Sequence, residues 1–236
     1  MRGTYALPHS RTAAQPHHVS RNQFAAFFTI LGEAEGHLRQ AIALDESWAA
    51  PWSVLVTSGR GLQIGLEEIT YRFENAVARC PGHLTAHEQM LQALCRKWAG
   101  SHEQMHAFAA AAANGTHRAT LAHLAAVAHI ELWFDLRSVL ARHRYMRQQA
   151  VRGSLETAAE ASIFRTDYHV PAEAPYNAAN HFAMAFSLAG MPREARRAFA
   201  LTEGVVTKVP WGYIDSRFPT PIYLFRRTRA ALAFVR

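Results

Sequence analysis

The stretch AFSLAGMPREARRAF, residues 185–199, carries the clearest structural signal in this sequence. Apolar residues recur at helical spacing on both sides of Gly190, and Pro192 follows two residues later. Glycine commonly ends a helix and proline commonly occupies the first position of the next one. The stretch therefore predicts two antiparallel helices joined by a short turn at Gly190.

A repeat of about 35 residues runs through the first half of the chain. In each copy a small or apolar residue is followed by a large apolar residue or alanine four positions later and by an alanine three further on. Small residues let paired helices approach closely, while the large residue fills the groove between successive hairpins. The three copies are Ala34, Leu38 and Ala41; Ile69, Phe73, Ala76 and then Pro81; and Met105, Ala109 and Ala112.

Both patterns resemble tetratricopeptide (TPR) repeats, whose period is about 34 residues. The resemblance implies an all-α fold, a right-handed α-solenoid of degenerate TPR-like hairpins with about six to ten antiparallel helices. We expect one repeat domain over residues 21–236 and a flexible N-terminal arm over 1–20. A helix break is predicted at Gly153-Ser154, and an irregular insertion near 151–180. Aromatic residues near the C-terminus are predicted to pack a terminal helix: Trp211, Tyr213, Phe218, Tyr223 and Phe225.

The segment CRKWAGSHEQMHAFA, residues 95–109, resembles the Lys-Trp-Gly-Gly-Ser signature of an uncharacterised bacterial family of TPR-like proteins. Ala99 stands where that family has its second glycine. The family supplies no function, so the resemblance implies a fold and no catalytic residue. The matching residues are Lys97, Trp98, Gly100, Ser101, Glu103, Met105, Ala107, Phe108 and Ala109.

Stacked helical hairpins form an extended groove without a preorganised reactive centre. We therefore expect a non-catalytic module that needs no cofactor and binds a peptide or a partner protein. The first helix of each hairpin lines such a groove, and residues 84–98 are predicted to form one of these helices. The predicted partner contacts are Trp52, His87, Glu88, Gln92 and Arg96.

Residues 102–106 match the H-E-x-x-H pattern of zinc hydrolases. The alternative function is therefore a zinc-dependent hydrolase, with His102, His106 and Glu131 as metal ligands and Glu103 as general base. Ser101 and Gln104 offer a different interpretation, because a serine followed three residues later by glutamine is typical of a helix N-terminus. In that case His102 is the first residue of a helix and the three ligands point apart.

The formal net charge of +7 favours anionic partners, since arginine contacts to phosphate release counterions. A weaker alternative is thus nucleic-acid binding through the arginine-rich face around Arg142 to Arg152, although the sequence contains no recognisable nucleic-acid module. His117, His123 and His129 are predicted as partly buried, hydrogen-bonded histidines. Cys80 and Cys95 are predicted as two buried, reduced thiols. No signal peptide or membrane span is evident, which predicts a cytoplasmic protein.

Overall fold

A computed structural model describes residues 21–172, 174–212 and 220–234, so the arm predicted at 1–20, Tyr213 and Phe218 lie outside the described residues. The described chain is all-α and contains no strand, as predicted. Its helices are α1 (Arg21–Leu44), α2 (Ala49–Leu62), α3 (Leu66–Arg79), α4 (Leu84–Ala93), α5 (His102–Asn114), α6 (Arg118–Leu121), α7 (Leu124–Asp135), α8 (Val139–Met146), α9 (Gln149–Glu160), α10 (Asn177–Ala189), α11 (Pro192–Leu201), α12 (Lys208–Trp211) and α13 (Pro221–Ala231), followed by a 3₁₀ turn (Leu232–Phe234).

The contacts of the chain fall into two compact units, with the boundary between Met105 and His106 inside α5. In the first unit, α2 packs against α1, α3 and α4. The repeat positions Ile69, Ala76 and Met105 are buried there, whereas Ala34 at the corresponding place in α1 is exposed. The repeat pattern thus marks the packed face of α3 and the start of α5 better than that of α1.

A buried ion pair ties three helices of the first unit together. Arg72 of α3 donates to both carboxylate oxygens of Glu35 in α1, and it also donates to the Leu55 carbonyl in α2 at 2.9 Å. Ser58 of α2 donates to the same carboxylate at 2.7 Å. Although burial opposes ionisation, these hydrogen bonds and the positive charge of Arg72 hold the pKa of Glu35 below its ordinary value.

In the second unit, α10 is the central helix and is buried on nearly every side. It packs against α7, α8, α9, α11 and α12, as the central helix of a bundle does. Each hairpin of a repeat array contacts only its neighbours, so this unit is more closely packed around one helix than such an array. The core around α10 includes Phe182, Phe186, Phe199 and Trp211.

The helical hairpin predicted from residues 185–199 is confirmed. α10 ends at Ala189, and Gly190 adopts the left-handed conformation (φ 68°, ψ 42°) in which glycine is favoured. α11 then begins at Pro192, whose missing N–H costs nothing at a helix start. The predicted packing of a C-terminal helix is confirmed for Trp211 and Phe225, because Phe225 of α13 packs edge-to-face on Trp211 and Phe199. It is wrong for Tyr223, which is exposed.

Two predicted boundaries are wrong. Residues 149–160 form α9, and Val151, Leu155, Ala158 and Ala159 line its buried face, so the predicted break at Gly153-Ser154 is absent and the irregular segment starts after Glu160. The helix predicted over residues 84–98 ends at Ala93, and turns follow from Leu94 to Ala99. Of the two cysteines, Cys95 is buried as predicted and Cys80 is exposed.

Gly100 explains why the chain turns after α4. A Cβ atom at Gly100 would lie 2.2 Å from the Leu94 carbonyl oxygen, closer than any real contact, so only glycine fits where the chain crosses the end of α4. The next residue, Ser101, accepts a hydrogen bond from the Gln104 N–H at 3.2 Å and caps α5. The Trp-Ala-Gly-Ser part of the signature is therefore a turn followed by a helix cap.

None of the described helices combines the length and the hydrophobicity that a membrane crossing requires.

We expect Gly100→Ala to lower the free energy of unfolding by about 1–3 kcal/mol, because the added methyl group forces the backbone away from Leu94. Urea denaturation followed by circular dichroism measures this change.

Gly153→Ala is the matched control. A Cβ atom at Gly153 meets nothing within 4 Å, and the residue lies in the middle of α9. Alanine in a helix interior is favoured over glycine, so this variant should be more stable by up to about 1 kcal/mol. If both variants shift stability in the same direction and by similar amounts, the close crossing at Gly100 is not the constraint described above.

Candidate functional site

The first unit carries an exposed aromatic surface at the edges of α2 and α3. Trp48 is 54% exposed and Tyr71 is 53% exposed. Trp52 follows Trp48 by four residues in the sequence, and its ring meets that of Tyr71 edge-on at 6.0 Å between centroids. The guanidinium of Arg79 lies over the Trp52 ring at 5.1 Å. We call Trp48, Trp52, Tyr71 and Arg79 the aromatic surface.

Hydrogen bonds order Arg79 at this surface. Its Nη1 donates to the backbone oxygen of Asn75 at 2.8 Å and to the side-chain oxygen of Asn75 at 3.1 Å, while Nε donates to the Glu46 carbonyl. Asn75 lies between Tyr71 and Arg79 on one face of α3, since residues four apart in a helix are neighbours. The guanidinium is thus held in place over the indole.

The turn that carries Trp48 is ordered as well. Asp45 accepts hydrogen bonds from the backbone N–H of Ser47 at 2.9 Å and from its hydroxyl at 2.6 Å. These hydrogen bonds lower the pKa of the Asp45 carboxyl. Asp45 thereby fixes the turn between α1 and α2 from which Trp48 projects.

The structure does not gather the five predicted partner contacts into one surface. Trp52 packs on Tyr71, whereas the His87 ring packs edge-on against Phe73 at 5.0 Å. Tyr71 and Phe73 are two positions apart in α3, about 200° around the helix, so their partners lie on opposite sides of it. Glu88 and Gln92 lie on α4, Arg96 lies in the turns beyond its end, and all three interact within the chain.

Sequence reasoning missed Trp48, Tyr71 and Arg79 as members of the surface. Tyr71 and Arg79 lie on the same helix eight residues apart, a spacing that the sequence displays. Their meeting with Trp52 depends on how α2 packs against α3, which no local pattern encodes.

The H-E-x-x-H stretch starts α5, as the helix-cap interpretation predicts. His102 is the first residue of α5, and Glu103 lies in its first turn, where the positive end of the helix favours a carboxylate. Among the residues that the structure describes, no group of three or more histidine, cysteine, aspartate or glutamate side chains is placed to hold a metal ion. The zinc hypothesis for His102, His106 and Glu131 remains a prediction.

His106 belongs instead to a polar cluster in the second unit, formed with His129, Tyr145 and Ser154. Tyr145 Oη shares a hydrogen bond of 2.7 Å with His129 Nδ1 and one of 3.4 Å with His106 Nε2. His129 Nε2 shares a further hydrogen bond of 3.1 Å with the hydroxyl of Ser154. The His106 and His129 rings lie 4.9 Å apart between centroids.

This cluster places a serine hydroxyl beside a histidine, the pairing found in enzymes with a serine nucleophile. Burial, together with the neighbouring His106, lowers the pKa of His129 from 6.5 to about 3. Burial also raises the pKa of Tyr145 above its ordinary value. A general base works best when its pKa lies near the working pH, so a histidine with so low a pKa is poorly suited to activate Ser154. The arrangement fits a structural hydrogen-bond network that joins α5, α7, α8 and α9.

The other two histidines of the prediction, His123 and His117, differ in solvent exposure. His123 is buried and its Nδ1 shares a hydrogen bond of 3.0 Å with the Thr120 carbonyl, which confirms the prediction for this residue, as the cluster does for His129. His117 is exposed, contrary to the prediction, because it precedes the short helix α6 at the surface.

Two of the arginines on the face around Arg142 to Arg152 are engaged within the chain. Arg142 donates to the Leu136 carbonyl at 2.7 Å and to the Phe134 carbonyl at 3.0 Å, and it lies over the Trp133 ring. Arg147 packs against the turn at Gly190, where an added Cβ atom would lie 3.2 Å from its Nη2. These two side chains stabilise the fold, and nucleic-acid binding by this group remains a prediction.

No protein-family model, curated protein or solved structure matches this chain. The TPR-like resemblance therefore rests on the residues that suggested it.

The depressed pKa of His129 predicts acid-sensitive stability. The unfolded chain binds a proton at this histidine below pH 6.5, whereas the folded chain excludes it down to about pH 3. Protonation therefore favours unfolding, and the free energy of unfolding should fall by up to about 1.4 kcal/mol per pH unit as pH decreases below 6.5. Urea denaturation between pH 6.5 and 5 measures this slope above the range in which carboxylates titrate.

In His129→Gln the slope should become smaller by the contribution of one titrating group. His143→Gln, which changes an exposed histidine of α8, should keep the wild-type slope. An unchanged slope in His129→Gln shows that another group is responsible for the acid sensitivity.

Proposed function

We propose that this protein is a cytoplasmic, non-catalytic interaction module, and that the aromatic surface of its first unit binds a peptide or a partner protein. The observation that carries the proposal is the exposure of Trp48 and Tyr71 around an arginine that stacks on Trp52. Tryptophan, tyrosine and arginine are the residue types most enriched at the energetic centres of protein interfaces.

Preorganisation supports this proposal. Binding loses free energy when flexible side chains must be immobilised at an interface. Arg79 is already held by Asn75 and Glu46, and the turn before Trp48 is already held by Asp45 and Ser47. Folding therefore already orders these side chains, so less free energy is lost when a partner binds.

The chemistry of the surface defines the partner that it favours. The indole and phenol rings accept an apolar or aromatic side chain, since aromatic pairs gain free energy beyond the area they bury. The fixed guanidinium of Arg79 accepts a carboxylate beside that side chain. We therefore propose a partner segment in which an acidic residue lies next to large apolar residues.

The TPR-like interpretation of the first unit agrees with this location. In the proposed repeat frame α2 is the first helix of a hairpin and α3 is the second, and first helices line the binding groove of such arrays. Trp52 lies on α2, the helix that this frame assigns to the groove. The solenoid arrangement itself is part of the proposal.

Peptides selected from a displayed random library on the immobilised full chain test the proposal. We expect selected peptides to combine acidic and large apolar residues. Trp48→Ala/Tyr71→Ala should weaken their binding by about thirtyfold or more, the effect of losing about 2 kcal/mol at an interface centre. Fluorescence anisotropy of labelled peptides measures the dissociation constants.

The matched control is Val139→Ala/Tyr223→Ala, which removes exposed apolar groups from the second unit. Both double variants alter exposed side chains, and urea denaturation of each checks that any loss of binding is not a loss of folding. Equal binding of the selected peptides to the two variants, or a library that yields no binder, contradicts the proposal.

A further inference from the structure

A cleft runs along one face of α13 in the second unit. Its larger part has a volume of about 660 Å³, within the range of small-molecule sites, and a smaller pocket of about 260 Å³ adjoins it at Arg229. We call the larger part the α13 cleft. It is lined by Gly204, Val206, Ile222, Phe225, Arg226, Arg229 and Ala230.

Helical spacing brings apolar residues and two arginines of α13 together in the cleft. Ile222, Phe225, Arg226, Arg229 and Ala230 recur at intervals of three and four, so they share one face over about 12 Å of helix. Phe225 is only 2% exposed and forms part of the floor, whereas Ile222 is 48% exposed at the wall. An apolar trough is therefore bordered by two guanidinium groups.

The positive charge of the α13 cleft is not balanced by an acidic residue in its lining. None of the seven lining residues is acidic, and Arg226 and Arg229 have no hydrogen-bond or ion-pair partner within the described part of the chain. Glu203 is the chain neighbour of Gly204, and its carboxylate accepts a hydrogen bond of 2.9 Å from Tyr176. The cleft thus offers two cations that an anionic ligand can pair with.

The residues that line the α13 cleft favour one class of anionic ligand over others. A single-stranded nucleic acid needs exposed aromatic faces on which bases stack, and Phe225 is buried against Trp211 and Phe199. A peptide strand needs acceptors for its N–H groups, and the lining side chains supply guanidinium donors and hydrocarbon only. An anionic head group with an apolar chain satisfies both surfaces of the cleft.

We propose that the α13 cleft binds an aliphatic carboxylate, such as a medium-chain or long-chain fatty acid. The carboxylate pairs with Arg226 and Arg229, and the hydrocarbon chain lies along Val206, Ile222 and Phe225. Carboxylates form charge-assisted hydrogen bonds with guanidinium groups, and burial of the chain adds about 0.8 kcal/mol per methylene that leaves water. This site is independent of the aromatic surface.

Isothermal titration calorimetry of the full chain with decanoate, below its micelle concentration, tests the proposal. We expect saturable binding of decanoate and at least about tenfold weaker binding of decan-1-ol, which has the same chain and no charge. Arg226→Ala/Arg229→Ala should weaken decanoate binding at least about tenfold. Ile222→Ser should also weaken it, because part of the apolar wall is lost.

Arg137→Ala/Arg144→Ala is the matched control, because it removes two exposed positive charges elsewhere in the second unit. It should leave decanoate binding unchanged, and the unfolding midpoints of all variants should match that of the wild type. Equal affinities for decanoate and decan-1-ol, or equal losses in the two arginine variants, overturn the proposal. Binding of an oligothymidylate that is lost only in Arg226→Ala/Arg229→Ala also overturns it in favour of a nucleic-acid site.

Discussion

The second unit depends on the hydrogen bonds of one buried amide, that of Asn180 in α10. Asn180 is fully buried, and its Nδ2 donates to the carbonyls of Tyr176 at 2.9 Å and Val205 at 3.1 Å. Its Oδ1 accepts from the Trp211 indole N–H at 2.7 Å and from the Thr207 N–H at 3.5 Å. A buried amide with all its groups paired fixes one arrangement, because any other leaves polar groups unsatisfied in the core. The segment from Val205 to Trp211 is thereby tied to α10, and α13 packs on Trp211. The position of the α13 cleft follows from this chain of contacts.

In the first unit, Arg72 has the corresponding role. A buried guanidinium is costly unless its donors are paired, and Arg72 pairs with Glu35 of α1, Leu55 of α2 and, by an i,i+4 contact, Glu68 of its own helix. Sliding any one of these helices would leave a charge buried without its partner, so the network favours one register. The register of α2 against α3 is what places Trp52 beside Tyr71. The aromatic surface therefore depends on the buried ion pair that Arg72 of α3 forms with Glu35.

The sequence predicts local structure well and assembled sites poorly, and particular residues show why. Gly190 and Pro192 predict the hairpin because a left-handed turn and a helix start are chemical properties of those residues. Ser101 predicts the start of α5 for the same reason. The sequence does not reveal the end of α4, because Leu94, Cys95 and Trp98 continue an apolar pattern. The turn is evident only from the close approach of Gly100 to Leu94. The pairing of His106 with His129 across 23 positions, and that of Trp52 with Tyr71, depend on tertiary packing that no window of sequence contains.

The most reactive-looking cluster in the described chain joins His129, Tyr145 and Ser154. His129 shares hydrogen bonds with Tyr145 and Ser154, as in a catalytic relay, but its burial and the neighbouring His106 depress the pKa of this histidine. Polar groups that are buried and mutually satisfied stabilise one fold, whereas recognition requires groups that folding leaves accessible. In the described chain such groups are found at the aromatic surface, with exposed rings beside a fixed cation, and at the α13 cleft, with two cations above an apolar floor. Both arrangements are suited to noncovalent contact with a ligand, and they are the observations on which the two binding proposals rest.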